Sequence, residues 1–219
     1  MIKEIRLERT LPLVFAGMEG EEPVRGSEVW LQELTFRRPD YYMIEAESGT
    51  GKSSLCAYIY GSRGDYSGRI YFDGRDTSEL TIGEWSQLRQ RSLAYLPQEM
   101  QLFPELTVLE NIEIKNRLTG CKDRRWIDRA LERLEISVKA NQPAGKLSVG
   151  QQQRVAIIRA LCQPFDFLLI DEPVSHLDAR NNSIVAKLIE EEARLNDAAI
   201  IATSVGNKIS IPVTRTVKL

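Results

Sequence analysis

The stretch EAESGTGKSSL, residues 45–55, decides how the rest of the chain is read, because it is either a nucleotide-binding loop or a flexible turn. The general phosphate-loop pattern is G-x-x-x-x-G-K-[ST]; Gly51, Lys52 and Ser53 fit it, and Ala46 stands where its first glycine belongs. An alanine there costs about 1 kcal/mol if the position needs a positive φ, and nothing if it does not. The flanks favour the loop. YYMIEA, residues 41–46, reads as a buried strand, and KSSLCAYIYG as a helix ending at Gly61. In that order, successive N–H groups of Ser48, Gly49, Thr50 and Gly51 can curl around phosphates while the helix points its positive end at them. Lys52 then neutralises phosphate charge, and the hydroxyl of Ser53, followed by Ser54, is placed for Mg²⁺.

Composition limits what this loop can belong to. The chain has 219 residues, 42% of them hydrophobic, enough for one substantial core or two small ones. Lys and Arg number 29 against 31 Asp and Glu, so no basic excess marks nucleic acid as a partner. The opening MIKEIRLERT alternates charge with aliphatics and is not a secretion signal; no apolar run reaches the roughly 20 residues that cross a bilayer. Cys56, Cys121 and Cys162 lack metal-ligand spacing and read as reduced thiols of a cytoplasmic protein. Strand and helix patterns alternate along the chain, which favours an α/β fold with a largely parallel sheet.

A second stretch, FDFLLIDEPVSHLD, covers residues 165–178. Its continuous apolar run suits a central strand buried on both faces, and Asp171 and Glu172 follow at once. The carboxyl ends of strands in an open α/β sheet form the ligand crevice, which places Asp171 to hold Mg²⁺ through its water shell. Side chains alternate along a strand, so Glu172 points differently and can polarise a water for attack on a γ-phosphate. The competing reading is a strand that ends in a solvated acidic turn.

A third stretch, LSVGQQQRVAIIRAL, covers residues 147–161 and opens a helix. Ser148 with Gln151 makes a capping box, and Val155, Ile158, Leu161 and Cys162 share an apolar face. LSVGQQQR is similar to the signature of ABC-type ATPases, normally LSGGQ followed by QR. Gln98 in YLPQEMQLFPELTVLENI resembles that family's Q-loop, and SHLD, residues 175–178, resembles its D-loop. The resemblance runs from about residue 30 to 205.

The resemblance implies a P-loop NTPase core with an N-terminal antiparallel β-subdomain and a helical subdomain inserted before the signature. The whole chain would then be one ATP-binding domain, with its catalytic core at about 1–98 and 149–219 and the helical subdomain at about 99–148. It further implies two ATP molecules between head-to-tail subunits of a homodimer, with Ser148, Gly150 and Gln151 of one subunit meeting the γ-phosphate held by Lys52 of the other. Gln98 would sense Mg²⁺ and the attacking water, and the helical subdomain would meet an integral membrane permease, placing the chain peripherally on the inner face of the cell membrane. By size and motif spacing the chain is similar to the short ATPases of lipoprotein-releasing, macrolide-efflux and cell-division systems. The expected function is ATP binding and hydrolysis that drives a transporter; the alternative is a slow ATP-dependent switch that signals to a membrane partner without moving a solute.

Two departures from the family pattern bear on rate. Val149 replaces the signature's second glycine, and Ser204 and Val205 stand where the family carries a histidine on the γ-phosphate. The chain's one histidine, His176, lies in the D-loop, either as a substitute for that contact or as an exposed loop residue. Phe15, followed by Trp30, is the candidate to stack on adenine, with core packing as the alternative. CKDRRWIDRALERLEI reads as a structural amphipathic helix, and Arg37 and Arg38 beside Pro39 read as a solvated turn without a role.

Overall fold

The structure, a computed structural model, describes residues 1–219. Strands β1 (Glu4–Pro12), β2 (Glu33–Arg37), β4 (Tyr66–Phe72) and β5 (Arg75–Asp76) form an antiparallel sheet in the order β2-β1-β4-β5. Strands β3 (Tyr41–Glu45), β6 (Leu93–Leu96), β7 (Phe167–Asp171), β8 (Ala199–Ser204) and β9 (Arg215–Lys218) form a second sheet, β6-β7-β8-β3-β9, in which every pair is parallel. The expected α/β class with a parallel sheet and an N-terminal antiparallel sheet is what the chain adopts.

The period of two along the parallel strands explains the layering. Leu168 and Ile170 of β7, Ile200 and Ala202 of β8, and Tyr41 and Met43 of β3 enter one apolar cluster. Their alternate neighbours Phe167, Leu169, Ala199, Ile201, Tyr42 and Ile44 enter a second, shared with the antiparallel sheet. Each fully buried Leu, Ile or Phe contributes about 1.5–3 kcal/mol, so a sheet covered on both faces needs the uninterrupted apolar runs seen in the sequence.

Six helices complete the fold: α1 (Lys52–Ile59), α2 (Ile82–Arg91), α3 (Val108–Asn116), α4 (Arg124–Arg133), α5 (Val149–Ala160) and α6 (Ala179–Leu195). Helix α1 stops two residues before Gly61, which takes a left-handed φ of 70°. Helices α3 and α4 lie within residues 99–148, between β6 and α5. Helix α4 buries Ile127, Ala130 and Leu131, as its spacing predicts, and Trp126 Nε1 donates to Glu192 Oε1 of α6 at 2.8 Å. Thr81 with Glu84, Thr107 with Glu110 and Ser148 with Gln151 all close capping boxes, which start α2, α3 and α5.

Arg38 corrects the sequence reading. Arg37 is exposed as expected, but the Arg38 side chain is 7% exposed and pairs with Asp166 at 2.8 Å. Its other donors reach the carbonyls of Asn196 (2.8 Å) and Asp197 (2.6 Å). The remaining Asp166 oxygen accepts from the N–H of Ile2 at 2.7 Å. A guanidinium supplies enough donors in a fixed fork to satisfy several acceptors at once, which allows its burial.

Candidate functional site

The loop between β3 and α1 is built to meet an anion. From Glu47 to Ser54 no backbone N–H donates a hydrogen bond within the chain; the first helical bond is Leu55 N to the carbonyl of Gly51 at 2.9 Å. Gly49 and Gly51 have φ values of 84° and 98°, which only glycine adopts without strain. A Cβ at Gly51 would lie 2.9 Å from the Trp30 ring and 3.3 Å from Phe15. Ala46 is not in the left-handed region, so its replacement of the pattern's first glycine carries no backbone cost. Trp30 Nε1 donates to the Thr50 carbonyl at 2.9 Å, and the Thr50 hydroxyl donates to the Glu47 carbonyl at 3.0 Å. Thr50 therefore shapes the loop with its side chain and offers a ligand its N–H.

Ser48, Gly49, Gly51, Lys52, Ser53, Ser54, Gln98 and Glu172 line one cleft of about 260 Å³ with no apolar residue among them. Lys52 Nζ donates to the Glu47 carbonyl at 2.7 Å and lies 3.7 Å from Glu172 Oε1, while Gln98 Nε2 donates to Glu172 Oε2 at 3.3 Å. A larger cleft of about 510 Å³ borders the same loop, but Glu22, Glu45 and Glu47 outnumber Lys218 on its walls. Like-charge repulsion makes the smaller cleft the better place for phosphate.

Glu172 follows β7 directly with a φ of 49°, left-handed and costly for a side chain of its size. Three side chains hold it there. Its N–H donates to Thr203 Oγ1 at 3.2 Å, and its carbonyl accepts from Gln153 Nε2 and Ser175 Oγ, each at 3.3 Å. Thr203 in turn donates to Asp171 Oδ1 at 2.6 Å. Thr203 and Gln153 are the residues sequence reasoning missed. For Thr203 the signal was weak: it is the β8 residue that pairs with Asp171 across the parallel register.

Asp171 is 1% exposed, and its Oδ2 has no hydrogen-bond partner. An orphaned buried carboxylate oxygen is costly, and it fits a hard divalent cation held through water; Ser53 and Gln98, which offer neutral oxygens, line the cleft, and Asp171 precedes Glu172 on its wall. Nowhere in the chain do three His, Cys, Asp or Glu side chains gather into a metal cage; Mg²⁺ is commonly held by one or two carboxylates plus substrate phosphates. Burial, and secondarily the charge of Asp171, pushes the Cys56 thiol well above its ordinary range, so this cysteine stays a neutral part of the core.

The remaining predicted residues lie elsewhere. Phe15 is 9% exposed and Trp30 fully buried; both belong to one apolar cluster and lie against Gly51 of the loop, the core packing that the sequence left as the alternative to stacking on a base. Ser148, Gly150 and Gln151 do not line the cleft. They begin α5, where Ser148 N donates to Gln151 Oε1 at 3.0 Å and exposed Val149 faces outward. Gly150 is required locally, because a Cβ would meet the His176 carbonyl at 2.9 Å. His176 is exposed, with Nδ1 2.9 Å from Ser175 Oγ. Ser204 is buried and donates to the Asn207 carbonyl at 2.8 Å; Val205 is exposed.

Residues 32–175 match the sequence profile of the ABC transporter family. The lipoprotein-releasing system ATP-binding protein LolD of Buchnera aphidicola is 34% identical over 78% of this chain and 76% of its own length. The ABC transporter ATP-binding protein YtrE of Bacillus subtilis is 32% identical over 87% of this chain and 82% of its own. Against the macrolide export ATP-binding/permease protein MacB of Bartonella quintana the identity is 34%, but the chain spans only 26% of that protein's length. Among solved structures, a dimeric bacterial ABC transporter cassette aligns over 91% of this chain and 87% of its own, with 27% identity and a TM-score of 0.71. A cassette dimer in a post-hydrolysis state with ADP and Pi shares the fold, at 23% identity and a TM-score of 0.70. A phosphate loop with its N–H groups free, a signature-like helix start and a family match over most of the chain lead to one statement: this chain belongs to the ABC transporter family, among its ATP-binding proteins.

Proposed function

We propose that the chain is the ATP-hydrolysing subunit of an ABC transporter, closing head-to-tail with a second copy around two ATP molecules and driving a separate membrane permease. One observation carries this reading: the cleft holds Lys52, Gln98 and Glu172 beside a loop with unbonded N–H groups, while Ser148, Gly150 and Gln151 at the N-terminus of α5 are not part of its lining. That helix end presents free N–H groups and partial positive charge to an anion held by another subunit. On ATP binding, Lys52 exchanges the Glu47 carbonyl for the β/γ-phosphates, and Glu172 accepts the proton of an attacking water oriented by Gln98. Bound Mg²⁺ would supply electrophilic neutralisation of phosphate charge, with Ser53, Asp171 and Gln98 as its protein partners. Residues 99–148 would form the unit that meets the permease. No helix is long and apolar enough to cross a membrane, which fits a peripheral subunit on the inner face.

A second reading is favoured by Val205, which has no side-chain donor, and by Ser204, whose hydroxyl already donates to the Asn207 carbonyl: a slow switch that dimerises with ATP and signals to a membrane partner. Sedimentation of Glu172→Gln with and without ATP and Mg²⁺ tests the dimer on which both depend. A dimer with ATP that is lost in Ser148→Arg is the expected result; a monomer throughout overturns the head-to-tail reading.

A further inference from the structure

We propose that Arg159, at the C-terminal end of α5, is a positioning residue for Gln98. The segment after Gln98 turns through Met100 and Gln101, with consecutive left-handed φ values of 57° and 51°. Neither residue is glycine, so the turn is strained and persists only if something over-determines it. Local backbone bonds bind it only to itself: Met100 N to the Pro97 carbonyl at 3.0 Å and Gln101 N to the Glu99 carbonyl at 2.5 Å. Beyond it, buried Asn111 fixes the chain by accepting from Phe103 N at 2.8 Å and donating to the Phe103 carbonyl at 3.0 Å. Between Gln98 and Phe103 the only side chain that holds the backbone is Arg159, whose Nη1 donates to the Gln101 carbonyl at 2.7 Å and whose Nη2 donates to the Met100 carbonyl.

Arg159 has no carboxylate partner, and burial pulls its affinity for a proton below the ordinary arginine range. A half-buried guanidinium whose hydrogen bonds all go to two carbonyls of one strained turn is a clamp and not a surface charge. Gln98 stands two residues before the turn and donates to Glu172 Oε2. Releasing the clamp lets Met100 and Gln101 relax towards ordinary φ values, which re-aims Gln98 and removes one of the groups that orient the Glu172 carboxylate.

This inference rests on the proposal that Glu172 and Gln98 act on ATP, and its test has two arms. Steady-state phosphate release should show kcat reduced about tenfold in Arg159→Gln with KM for ATP within about twofold, and no further reduction when Arg159→Gln is added to Gln98→Ala. Additive losses, or a change confined to KM, overturn it. If wild type shows no turnover that depends on Glu172, the hydrolysis reading fails while the positioning is still read by NMR. The Gln98 side-chain amide resonance, assigned by its loss in Gln98→Ala, should shift in Arg159→Gln in the direction it shifts in Glu172→Gln. An unmoved resonance overturns the inference. Should Arg159→Gln not fold, Arg159→Lys serves both arms, since an ammonium keeps the charge but cannot fork to two carbonyls.

Discussion

Lys52 and Glu172 face each other across 3.7 Å in a cleft without apolar lining, beside a loop whose N–H groups are free. Removing the ammonium leaves phosphate charge uncompensated; a hydrogen bond to a charged group contributes about 1.5–3 kcal/mol. Lys52→Ala should therefore weaken ATP binding by about 10- to 100-fold in calorimetry, and unchanged affinity would remove the cleft as the nucleotide site. The rate is a separate question, because the donor that Ser204 and Val205 fail to supply acts on charge that develops only during reaction. Loss of one preorganised donor typically costs about 10² to 10³ in rate. Phosphate release by the wild type is expected to be slow, lower still in His176→Ala and raised in Val205→His. Fast turnover indifferent to both substitutions would show that neither position touches the chemistry.

At the scale of the elements, the start of α5 is set by two residues with different duties. Ser148 caps the helix through Gln151, an arrangement whose loss costs about 1 kcal/mol. Gly150 makes room for the His176 carbonyl, a backbone atom that cannot swing aside. Gly150→Ala should thus destabilise more than Ser148→Ala, by about 1–3 kcal/mol from overpacking, and should weaken ATP-dependent dimerisation because the loop at residues 175–177 is pushed away. Denaturant titration and sedimentation of the two variants check this; equal small losses in stability would show that the loop yields freely. The capping box, the apolar face of α5, the buried strand β7 and the loop before α1 were all legible in sequence, since each is written in residues three or four apart or in one unbroken run. Thr203 on Asp171, Arg159 on Met100 and Gln101, and Arg38 on Asp166 were not legible. Their partners are distant along the chain, 128 residues in the last case, and only parallel strand register or helix packing brings them together. Phe15 left two readings open for a related reason: an aromatic near a phosphate loop looks the same in sequence whether its ring is open or packed against a glycine.

Across the whole molecule, the parallel sheet separates a structural end from a functional one. Strands β3, β7 and β8 end at the cleft, with Glu45 before the loop, Asp171 beside Glu172, and Thr203 between them. They begin at Tyr41, Phe167 and Ala199, and just before those starts Arg38 ties the segments together through Asp166 Oδ1 and the carbonyls of Asn196 and Asp197. Asp166 is 9% exposed and also holds the N–H of Ile2, which anchors the antiparallel sheet to the same point. Arg38→Ala strands that carboxylate in a buried site, and breaking a buried pair from one side costs about 3–5 kcal/mol. Against the roughly 5–15 kcal/mol that stabilises a typical domain, this is a large fraction. Urea titration should show a midpoint lowered accordingly with little change in slope, and a smaller loss in Arg38→Ala with Asp166→Asn than the two singles added. ATP affinity, measured well below the transition, should stay within about twofold of wild type, because the clamp lies at the opposite ends of the strands from the loop. Loss of affinity in step with stability would show that the two ends of the sheet are not separable in this way.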